Sequence, residues 1–159
     1  MALRVGIGYD IHRVKEGRPL VLGGVRFDSV WGLEGHSDAD VLCHAIGDAI
    51  LGALALGDLG THFPPTDPKW KDASSLDLLE RIRAMLYERT ASVVNVDATL
   101  VAEEPKLAPA RERMRAKIAQ ALRVSAGQVS LKASTNERLD AVGNLQGLAA
   151  WAIAMVEVE

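Results

Sequence analysis

Alternation of apolar and polar residues predicts a strand at the start of the chain. Over residues 3–10, Val5 and Ile7 fall on one side of such a strand. Gly6 and Gly8 fall on the other side, where the missing side chain lets a second element approach the backbone closely. The same alternation, or a short apolar run between turn residues, predicts further strands over residues 19–22, 25–30, 93–102 and 129–133.

Three other segments have apolar residues at helical spacing. The first is predicted to begin with Ser37 as its N-cap, with Asp40 completing a capping-box-like pattern, to run through residue 54 or 56 and to end near Gly57. The second covers residues 75–89 and the third residues 106–122. The last apolar segment, residues 145–158, fits either a strand or a helix.

Length and composition narrow the class of protein. The chain has 159 residues, 48% apolar and 25% charged, and we expect one domain over residues 1–159. Only 4% of the residues are aromatic, so the core must be aliphatic. A formal net charge of −3 argues against a nucleic-acid binder, and no apolar run is long enough to predict a membrane helix.

The N-terminal segment and the single cysteine bear on location and on metal chemistry. The segment MALRVGIGYDIH lacks a basic region followed by a long apolar stretch, so we expect no signal peptide and a cytoplasmic protein. Because Cys43 is the only cysteine, an intrachain disulfide and a cysteine-based zinc site are both excluded. A metal must therefore bind to nitrogen and oxygen ligands.

Three residues form a candidate metal site. Asp10 and His12 are two residues apart on a strand, so both side chains point to one face. His44 lies among apolar neighbours in the first predicted helix, where an unpaired polar group is costly. One carboxylate and two imidazoles with an open fourth position are typical of catalytic zinc. A salt link between Asp10 and His12, and a buried hydrogen-bonded His44, remain alternatives.

Other acidic residues lie on or near the same helix. Asp40, His44 and Asp48 are spaced four residues apart, so they share one helical face. Asp40 or Asp48 is a candidate partner for an imidazole N–H. Asp38 is better explained as a capping residue that complements the helix dipole.

Three further segments combine residues that suit a phosphate or sugar ligand. Asp58 is placed at the predicted end of the first helix, where its charge opposes the dipole, and a long loop rich in glycine and proline follows it. Residues 134–137 offer hydroxyls, an amide and a carboxylate suited to phosphate or magnesium. A capping box of Ser134 and Glu137 accounts for them better on sequence grounds alone. Lys106 faces either an anion or solvent.

These segments, in this order, closely resemble one family, the 2-C-methyl-D-erythritol 2,4-cyclodiphosphate synthases of the non-mevalonate isoprenoid pathway. The resemblance covers essentially the whole chain. The segments that carry it are GIGYDIHRV, PLVLGGV, GLEGHSDADVLCHAIGDAILGALALGDLGTHFPPTDPKWK, ASTNERL and GNLQGLAAWA. The HSDAD block joined to GDLG and FPPTDP is the most specific of these features.

The resemblance implies a fold and a reaction. The fold is expected to be α+β, a mixed β-sheet with helices packed on one face, assembled as a homotrimer with active sites between subunits. The expected substrate is 4-diphosphocytidyl-2-C-methyl-D-erythritol 2-phosphate, whose 2-phosphate attacks the β-phosphorus of the cytidine diphosphate group. The expected products are 2-C-methyl-D-erythritol 2,4-cyclodiphosphate and CMP.

The resemblance also implies a role for each residue that matches the family. The implied metal ligands are Asp10, His12 and His44 for zinc or a similar ion, and Glu137 for magnesium or manganese. The implied catalytic residues, which stabilise the transition state, are His36 and Thr135. The implied substrate-binding residues are Ser37, Asp58, Gly60, Phe63, Asp67, Ala102, Pro105, Lys106, Leu107, Ala108, Ala133, Ser134 and Thr135. Among them, Asp58 would hold the methylerythritol diol and Lys106 would meet the nucleotide.

The chain departs from the family at two positions, and two other functions stay open. Many relatives carry an aromatic residue and an arginine where this chain has Ala141 and Asn144, so the resemblance does not extend to prenyl diphosphate binding in the trimer cavity. From the residues alone, a zinc-dependent phosphoesterase that activates water would use the same three ligands. So would a non-catalytic trimeric metal-binding module.

Overall fold

The computed structural model describes residues 1–159, which form seven strands, five helices and three 3₁₀ turns. The strands are β1 (Ala2–Glu16), β2 (Leu20–Leu22), β3 (Val25–Phe27), β4 (Trp31–Leu33), β5 (Ala91–Val101), β6 (Val129–Ser134) and β7 (Gly147–Val158). The helices are α1 (Val41–Ala53), α2 (Leu59–His62), α3 (Ser75–Tyr87), α4 (Arg111–Leu122) and α5 (Asp140–Gly143), with 3₁₀ turns at Pro68–Trp70, Ala108–Ala110 and Ala126–Gln128.

Five of the strands form one mixed sheet in the order β4-β1-β7-β5-β6, and β2 pairs with β3 in a separate hairpin. Only β5 and β6 are parallel, and the other pairs are antiparallel. The expected α+β class with a mixed sheet is therefore confirmed. The last apolar segment is a strand, β7, which pairs with β1 on one side and with β5 on the other.

Helix α1 lies directly on β1 because two glycines leave room for it. A Cβ atom on Gly6 would stand 1.9 Å from the carbonyl oxygen of Ala49. A Cβ atom on Gly8 would stand 1.9 Å from the carbonyl oxygen of Ala45. Four helical residues advance about 6 Å and two strand residues about 6.7 Å, so the two elements stay in step. His44, next to Ala45, is thereby brought over the continuation of the strand.

The start of α1 differs from the prediction. Asp40, not Ser37, is the N-cap, and its carboxylate accepts a hydrogen bond from the amide of Cys43. The amides of Gly23 and Gly24 donate to the same carboxylate at 2.9 and 2.7 Å. Asp40 is fully buried, and burial raises its pKa. Asp40 therefore ties the β2–β3 turn to α1, and it does not serve as the partner of an imidazole.

Two other elements depart from the predicted pattern. A bulge interrupts the alternation of β5 between Val93 and Asn95, so both Val93 and Val96 are buried. Helix α4 begins at Arg111 rather than at residue 106, because the segment ahead of it forms a 3₁₀ turn around Pro109. No helix combines the length and the apolar character that crossing a bilayer requires.

The face of the sheet opposite the helices carries an exposed apolar stripe on β1 and β7. In the register of these strands, Ile7 pairs with Ile153 and Tyr9 pairs with Trp151. The centroids of the Tyr9 and Trp151 rings are 4.5 Å apart. Ile7 is 64% exposed and Trp151 is 49% exposed. Monomeric proteins rarely leave a large contiguous apolar surface in water.

Candidate active site

Asp10, His12 and His44 converge at the point where α1 begins to cover β1. Oδ2 of Asp10 lies 2.9 Å from Nε2 of His12 and 3.0 Å from Nδ1 of His44. The two ring nitrogens are 3.2 Å apart, and the three residues form a group that can hold a metal ion. Ligand atoms at zinc bond lengths in a tetrahedral site stand about 3.3 Å apart. The observed spacing is therefore close to one face of such a tetrahedron.

Hydrogen bonds on the far side of each imidazole favour the tautomers that a metal needs. Nδ1 of His12 lies 2.7 Å from the carbonyl oxygen of Glu34, which only accepts, so Nε2 presents a lone pair to the cluster. Nε2 of His44 lies 2.9 Å from the hydroxyl of Ser75 and 3.1 Å from that of Ser37. These groups, and not the predicted Asp40 or Asp48, are the imidazole partners.

The charges in this cluster depend on one another. Burial alone would raise the pKa of Asp10, but hydrogen bonds and charge from His12 and His44 outweigh it and lower that pKa. Burial alone would lower the pKa of His12, but Asp10 and the carbonyl of Glu34 outweigh it and raise that pKa. The cluster thus favours a carboxylate beside a positive charge, whether that charge is a proton or a cation.

Two further carboxylates lie beyond the cluster. Asp48 accepts a hydrogen bond from the amide of Leu59 at 2.8 Å, and burial raises its pKa. Asp58 accepts from the hydroxyl and the amide of Thr61, each at 2.9 Å, and these bonds lower its pKa. The prediction that Asp58 ends the first helix is wrong, because α1 ends at Ala53 and Asp58 is the N-cap of α2.

A cavity of about 380 Å³ opens beside the cluster, and we call it the metal-side cavity. Its lining residues are Asp10, His12, His36, Ser37, His44, Asp48, Asp58, Leu59, Gly60, Phe63, Pro65, Trp70 and Leu78. Most of the residues predicted from the first half of the chain are therefore brought together here. Asp67 is not among the lining residues, but its carbonyl oxygen lies 3.1 Å from Nε2 of His36.

The sequence reasoning named Phe63 but missed Trp70, and together these residues form an aromatic wall of this cavity. The rings of Phe63 and Trp70 meet edge to face with centroids 4.9 Å apart. Lys69 and Arg81 lie over the Trp70 ring at 4.7 and 5.0 Å from its centroid. The proline-rich loop that contains Phe63 pointed to this wall. The contact between Trp70 and Arg81 of α3 joins distant segments, so spacing along the sequence did not predict it.

A second cavity, of about 250 Å³, lies at the ends of β5 and β6, and we call it the strand-end cavity. Its lining residues are Glu103, Glu104, Lys106, Thr135, Glu137, Arg138 and Leu145. Because β5 and β6 are parallel, the loops that follow both strands meet at one edge of the sheet. None of these residues lines the metal-side cavity, so a single chain keeps the two groups of predicted residues apart.

The segment beside the strand-end cavity is not helical. The hydroxyl of Ser134 donates to the carbonyl oxygen of Thr135, and the amide of Glu137 donates to the hydroxyl of Thr135. Glu137 has a φ of 51° in the left-handed region. The capping-box interpretation is therefore wrong. Lys106 is also not at a helix start, since it precedes the 3₁₀ turn and lies exposed in a loop.

The remaining predicted residues lie at the end of β6 or in the segment that follows β5. Those that are buried are Ala102 and Leu107, Pro105 is half-buried, and those that are exposed are Ala108, Ala133 and Ser134. The amide of Ala102 donates to the carbonyl oxygen of Ser134 at 3.0 Å. This bond joins the ends of β5 and β6 into one edge.

The fold and the metal-side cavity together define a class of protein. Structural zinc sites have four protein ligands, whereas this cluster has three and opens into a cavity lined by polar groups. An α+β fold with such a cluster beside a polar cavity is typical of enzymes that can bind a metal ion and leave its fourth position to a ligand.

Comparison with known proteins identifies the family. The model of the YgbB family matches residues 3–157. The 2-C-methyl-D-erythritol 2,4-cyclodiphosphate synthase of Acaryochloris marina is 53% identical over 155 residues, which are 98% of this chain and 96% of that protein. The synthase of the same name from Symbiobacterium thermophilum is 55% identical over 152 residues, 96% of this chain and 97% of that protein.

A solved structure agrees with this result. IspF from Plasmodium falciparum, in a complex with CDP, is similar with a TM-score of 0.87 and 32% identity, over 99% of this chain and 97% of that chain. The chain belongs to the YgbB family. It is an enzyme that forms 2-C-methyl-D-erythritol 2,4-cyclodiphosphate in the non-mevalonate isoprenoid pathway, as the sequence predicted. The phosphoesterase and the non-catalytic module are the less supported alternatives.

Proposed function

We propose that the chain works as one of three identical subunits and that each active site combines the metal-side cavity of one subunit with the strand-end cavity of a neighbour. The substrate is 4-diphosphocytidyl-2-C-methyl-D-erythritol 2-phosphate, and the products are the cyclic diphosphate and CMP. The observation that carries the proposal is that two groups of functional residues line separate cavities of one chain. A neighbour that closes one cavity against the other completes the site.

The uncovered face of the sheet supports the assembly. The apolar stripe of β1 and β7, with Ile7 and Trp151 about half exposed or more, is the surface that a second copy would bury. Closed rings of identical subunits bury the same patches in every copy. Helices cover the opposite face of the sheet. When subunits meet through the uncovered face, their helices stay outside the contact, and the metal-side cavity lies open at the boundary between subunits.

The metal-side cavity fits the phosphate that is attacked. Asp10, His12 and His44 would hold a zinc ion or a similar divalent ion, which would neutralise phosphate charge and polarise a phosphoryl oxygen. His36 is held against the cavity wall by its contact with the carbonyl oxygen of Asp67. The hydroxyl of Ser37 also lines the wall. These side chains are positioned before the substrate arrives, which lowers the cost of reorganisation.

The floor of the same cavity fits the methylerythritol chain. Asp58 has an exposed carboxylate at the cavity, and Gly60 lines the cavity beside it, where a Cβ atom would stand 3.5 Å from Oδ1 of Asp58. A carboxylate accepts hydrogen bonds from a diol. Leu59 and Phe63 supply the apolar contacts that the carbon skeleton needs.

The strand-end cavity fits the cytidine diphosphate group. Lys106 supplies a cation, Thr135 a hydroxyl and Glu137 a carboxylate. Magnesium binds through one or two carboxylates together with phosphate oxygens, so Glu137 is its expected ligand. Two divalent cations would also explain how a chain with a net charge of −3 binds a polyanion.

The reaction requires alignment more than proton transfer. An ionised oxygen of the 2-phosphate forms a bond to the β-phosphorus, and the bond from that phosphorus to the bridging oxygen breaks, so that CMP leaves with the electron pair. Holding these groups in line and neutralising their charge supplies most of the rate in phosphoryl transfer. His36 lines the metal-side cavity and Thr135 lines the strand-end cavity. In the assembled site they would stabilise the transferring phosphoryl group from two sides.

The test is a product assay combined with metal analysis. The substrate is incubated with enzyme, and phosphorus NMR should show CMP and the cyclic diphosphate in equal amounts. His44→Ala should lose both the zinc and the activity. His62→Ala is the matched control, because His62 contacts the carbonyl oxygen of Leu56 outside both cavities and should keep both. CMP with only a linear phosphate would favour the phosphoesterase, and full turnover without metal would overturn the proposed metal role.

A further inference from the structure

A hydrogen-bond chain leads from the metal cluster into the start of α3. Nε2 of His44 lies 2.9 Å from Oγ of Ser75, and that hydroxyl donates to Oδ1 of Asp38. Ser75 is only 1% exposed, so water does not compete for these bonds. Asp38, which the sequence suggested was only a helix cap for α1, is thus connected to the cluster through a single buried hydroxyl.

The chemistry of the three groups fixes which of them donates in each bond of the hydrogen-bond chain. An ionised carboxylate only accepts, so the single proton of the Ser75 hydroxyl is directed to Asp38. The Ser75 oxygen then offers only lone pairs to His44, and Nε2 of His44 must carry a proton to donate. Nδ1 of His44 is left with the lone pair that a metal ion requires.

The hydrogen-bond chain and Asp10 favour a proton on different nitrogens of the His44 ring. Oδ2 of Asp10 lies 3.0 Å from Nδ1 of His44 and would by itself favour a proton on that nitrogen. A proton there would block metal binding. The chain through Ser75 therefore favours the tautomer that Asp10 alone would not.

Ser37, the other hydroxyl beside Nε2 of His44, does not decide which of the two groups donates. The hydroxyl of Ser37 lies 3.1 Å from Nε2 of His44 and accepts a bond from the amide of Ala39. Its own proton has no carboxylate to bind. Asp38, by contrast, is fixed by the amides of Ser75 at 2.9 Å and Asp40 at 3.1 Å.

We propose that Ser75 and Asp38 are positioning residues of the metal centre, which hold His44 in the tautomer whose Nδ1 binds the ion. This inference rests on the proposed metal role of Asp10, His12 and His44. Neither residue contacts the ion, and each acts through the imidazole of His44. Partners of this kind typically change metal affinity by about 10–100-fold when they are removed.

The experiment measures zinc affinity and the tautomer separately. Ser75→Ala removes the hydroxyl but leaves the backbone bond to Asp38, and Asp38→Asn keeps the size but lets a donor face the Ser75 oxygen. Both should weaken zinc binding by about 10–100-fold in a chelator competition. Ser74→Ala is the matched control, because Ser74 is the neighbouring N-cap residue and its side chain makes no capping bond.

Nitrogen NMR of the metal-free protein gives the second measurement. The ring of His44 should carry its proton on Nε2 in the wild type and shift toward Nδ1 in Asp38→Asn. If both variants bind zinc as tightly as Ser74→Ala, or if the tautomer does not change, the inference is overturned. If His44→Ala still binds zinc normally, the proposed metal site itself fails.

Thermal unfolding separates positioning from a purely structural role. A structural role would lower the melting temperature equally with and without zinc, and the stabilisation that zinc provides would be unchanged, which would also overturn the inference. A positioning role reduces the stabilisation by zinc in Ser75→Ala and Asp38→Asn but not in Ser74→Ala.

Discussion

The two cavities differ in how their polar side chains are held. In the metal-side cavity the imidazoles are bonded from behind, His12 by the carbonyl oxygen of Glu34 and His44 by the hydroxyl of Ser75. In the strand-end cavity Lys106 and Glu137 are exposed in loops. One cavity is therefore preorganised by a single chain, and the other has the features of half a site.

The difference determines the source of the binding free energy in the metal-side cavity and in the strand-end cavity. Preorganised donors act without reorganisation, so the metal side should bind its ion in an isolated subunit. Exposed side chains lose conformational freedom when they bind, so the strand-end side gains most from a neighbour that encloses it.

The largest expected effect is on the metal side. Asp10→Asn keeps the shape of the side chain but removes the negative charge that faces both imidazoles. We expect kcat/KM to fall by about 10³-fold, because a metal contributes several kcal/mol of charge stabilisation. Steady-state kinetics and metal analysis measure this change. Asp77→Asn is the control, because Asp77 is an exposed residue of α3. An active Asp10→Asn enzyme without metal would contradict the prediction.

The next largest effect is expected from a change on the apolar stripe through which the subunits are proposed to meet. Ile7→Lys places a charge on the apolar stripe, and we expect the subunits to separate and the activity to fall with them, although the fold is kept because Ile7 is 64% exposed. Analytical ultracentrifugation measures the assembly and circular dichroism measures the fold. Tyr87→Lys is the control, since Tyr87 is exposed outside the sheet face. A trimer that survives Ile7→Lys, or a fully active monomer, would contradict the account.

A smaller effect is expected on the strand-end side. Glu137→Gln removes the charge of the expected magnesium ligand, and a charged contact contributes about 1.5–3 kcal/mol. The magnesium concentration needed for half-maximal activity should rise by about 10–100-fold, while zinc content stays the same. Metal titrations of activity measure the first quantity, and mass spectrometry measures the second. Loss of zinc in this variant would show that the two sides are not independent.

The smallest effect is a pH dependence of the metal-free protein. The lowered pKa of Asp10 gives stability that is present above its ordinary value of 3.8 and is lost as the pH falls through the folded value. The raised pKa of His12 gives stability that is present below its ordinary value of 6.5 and is lost as the pH rises through the folded value.

The two contributions overlap between these pH limits. Within that window, Asp10→Asn should lower the free energy of unfolding by on the order of 1 kcal/mol. Outside it, the difference from wild type should shrink. Denaturant unfolding at a series of pH values, with a chelator present, measures the difference. A difference that does not vary with pH would contradict the assignment.

The sequence predicted the parts of the site that depend on local periodicity. Asp10 and His12 share a face because strands alternate, and Gly6 and Gly8 allow the expected close approach to the backbone, which α1 makes. His44 required a tertiary contact, but its apolar neighbours already marked it as a residue that needs a partner.

The rest depended on contacts between distant segments, which spacing does not encode. Asp40 binds the β2–β3 turn, and Asp38 binds the start of α3, although both read as caps of one helix. Asp58 begins a new short helix because α1 ends earlier than its apolar run suggests. The resemblance to the family, rather than periodicity, predicted that Thr135 and Glu137 belong to the site.

The measurement that tests the central claim most directly is complementation between two inactive variants. His44→Ala disables the metal side and Glu137→Ala disables the strand-end side. In randomly mixed trimers, about one site in four combines an intact half from each variant, if the ring is symmetric. The account predicts that mixing and reassembling the two chains restores activity to about a quarter of the wild-type value. Activity no higher than that of either variant alone would show that both halves of the site belong to the same chain.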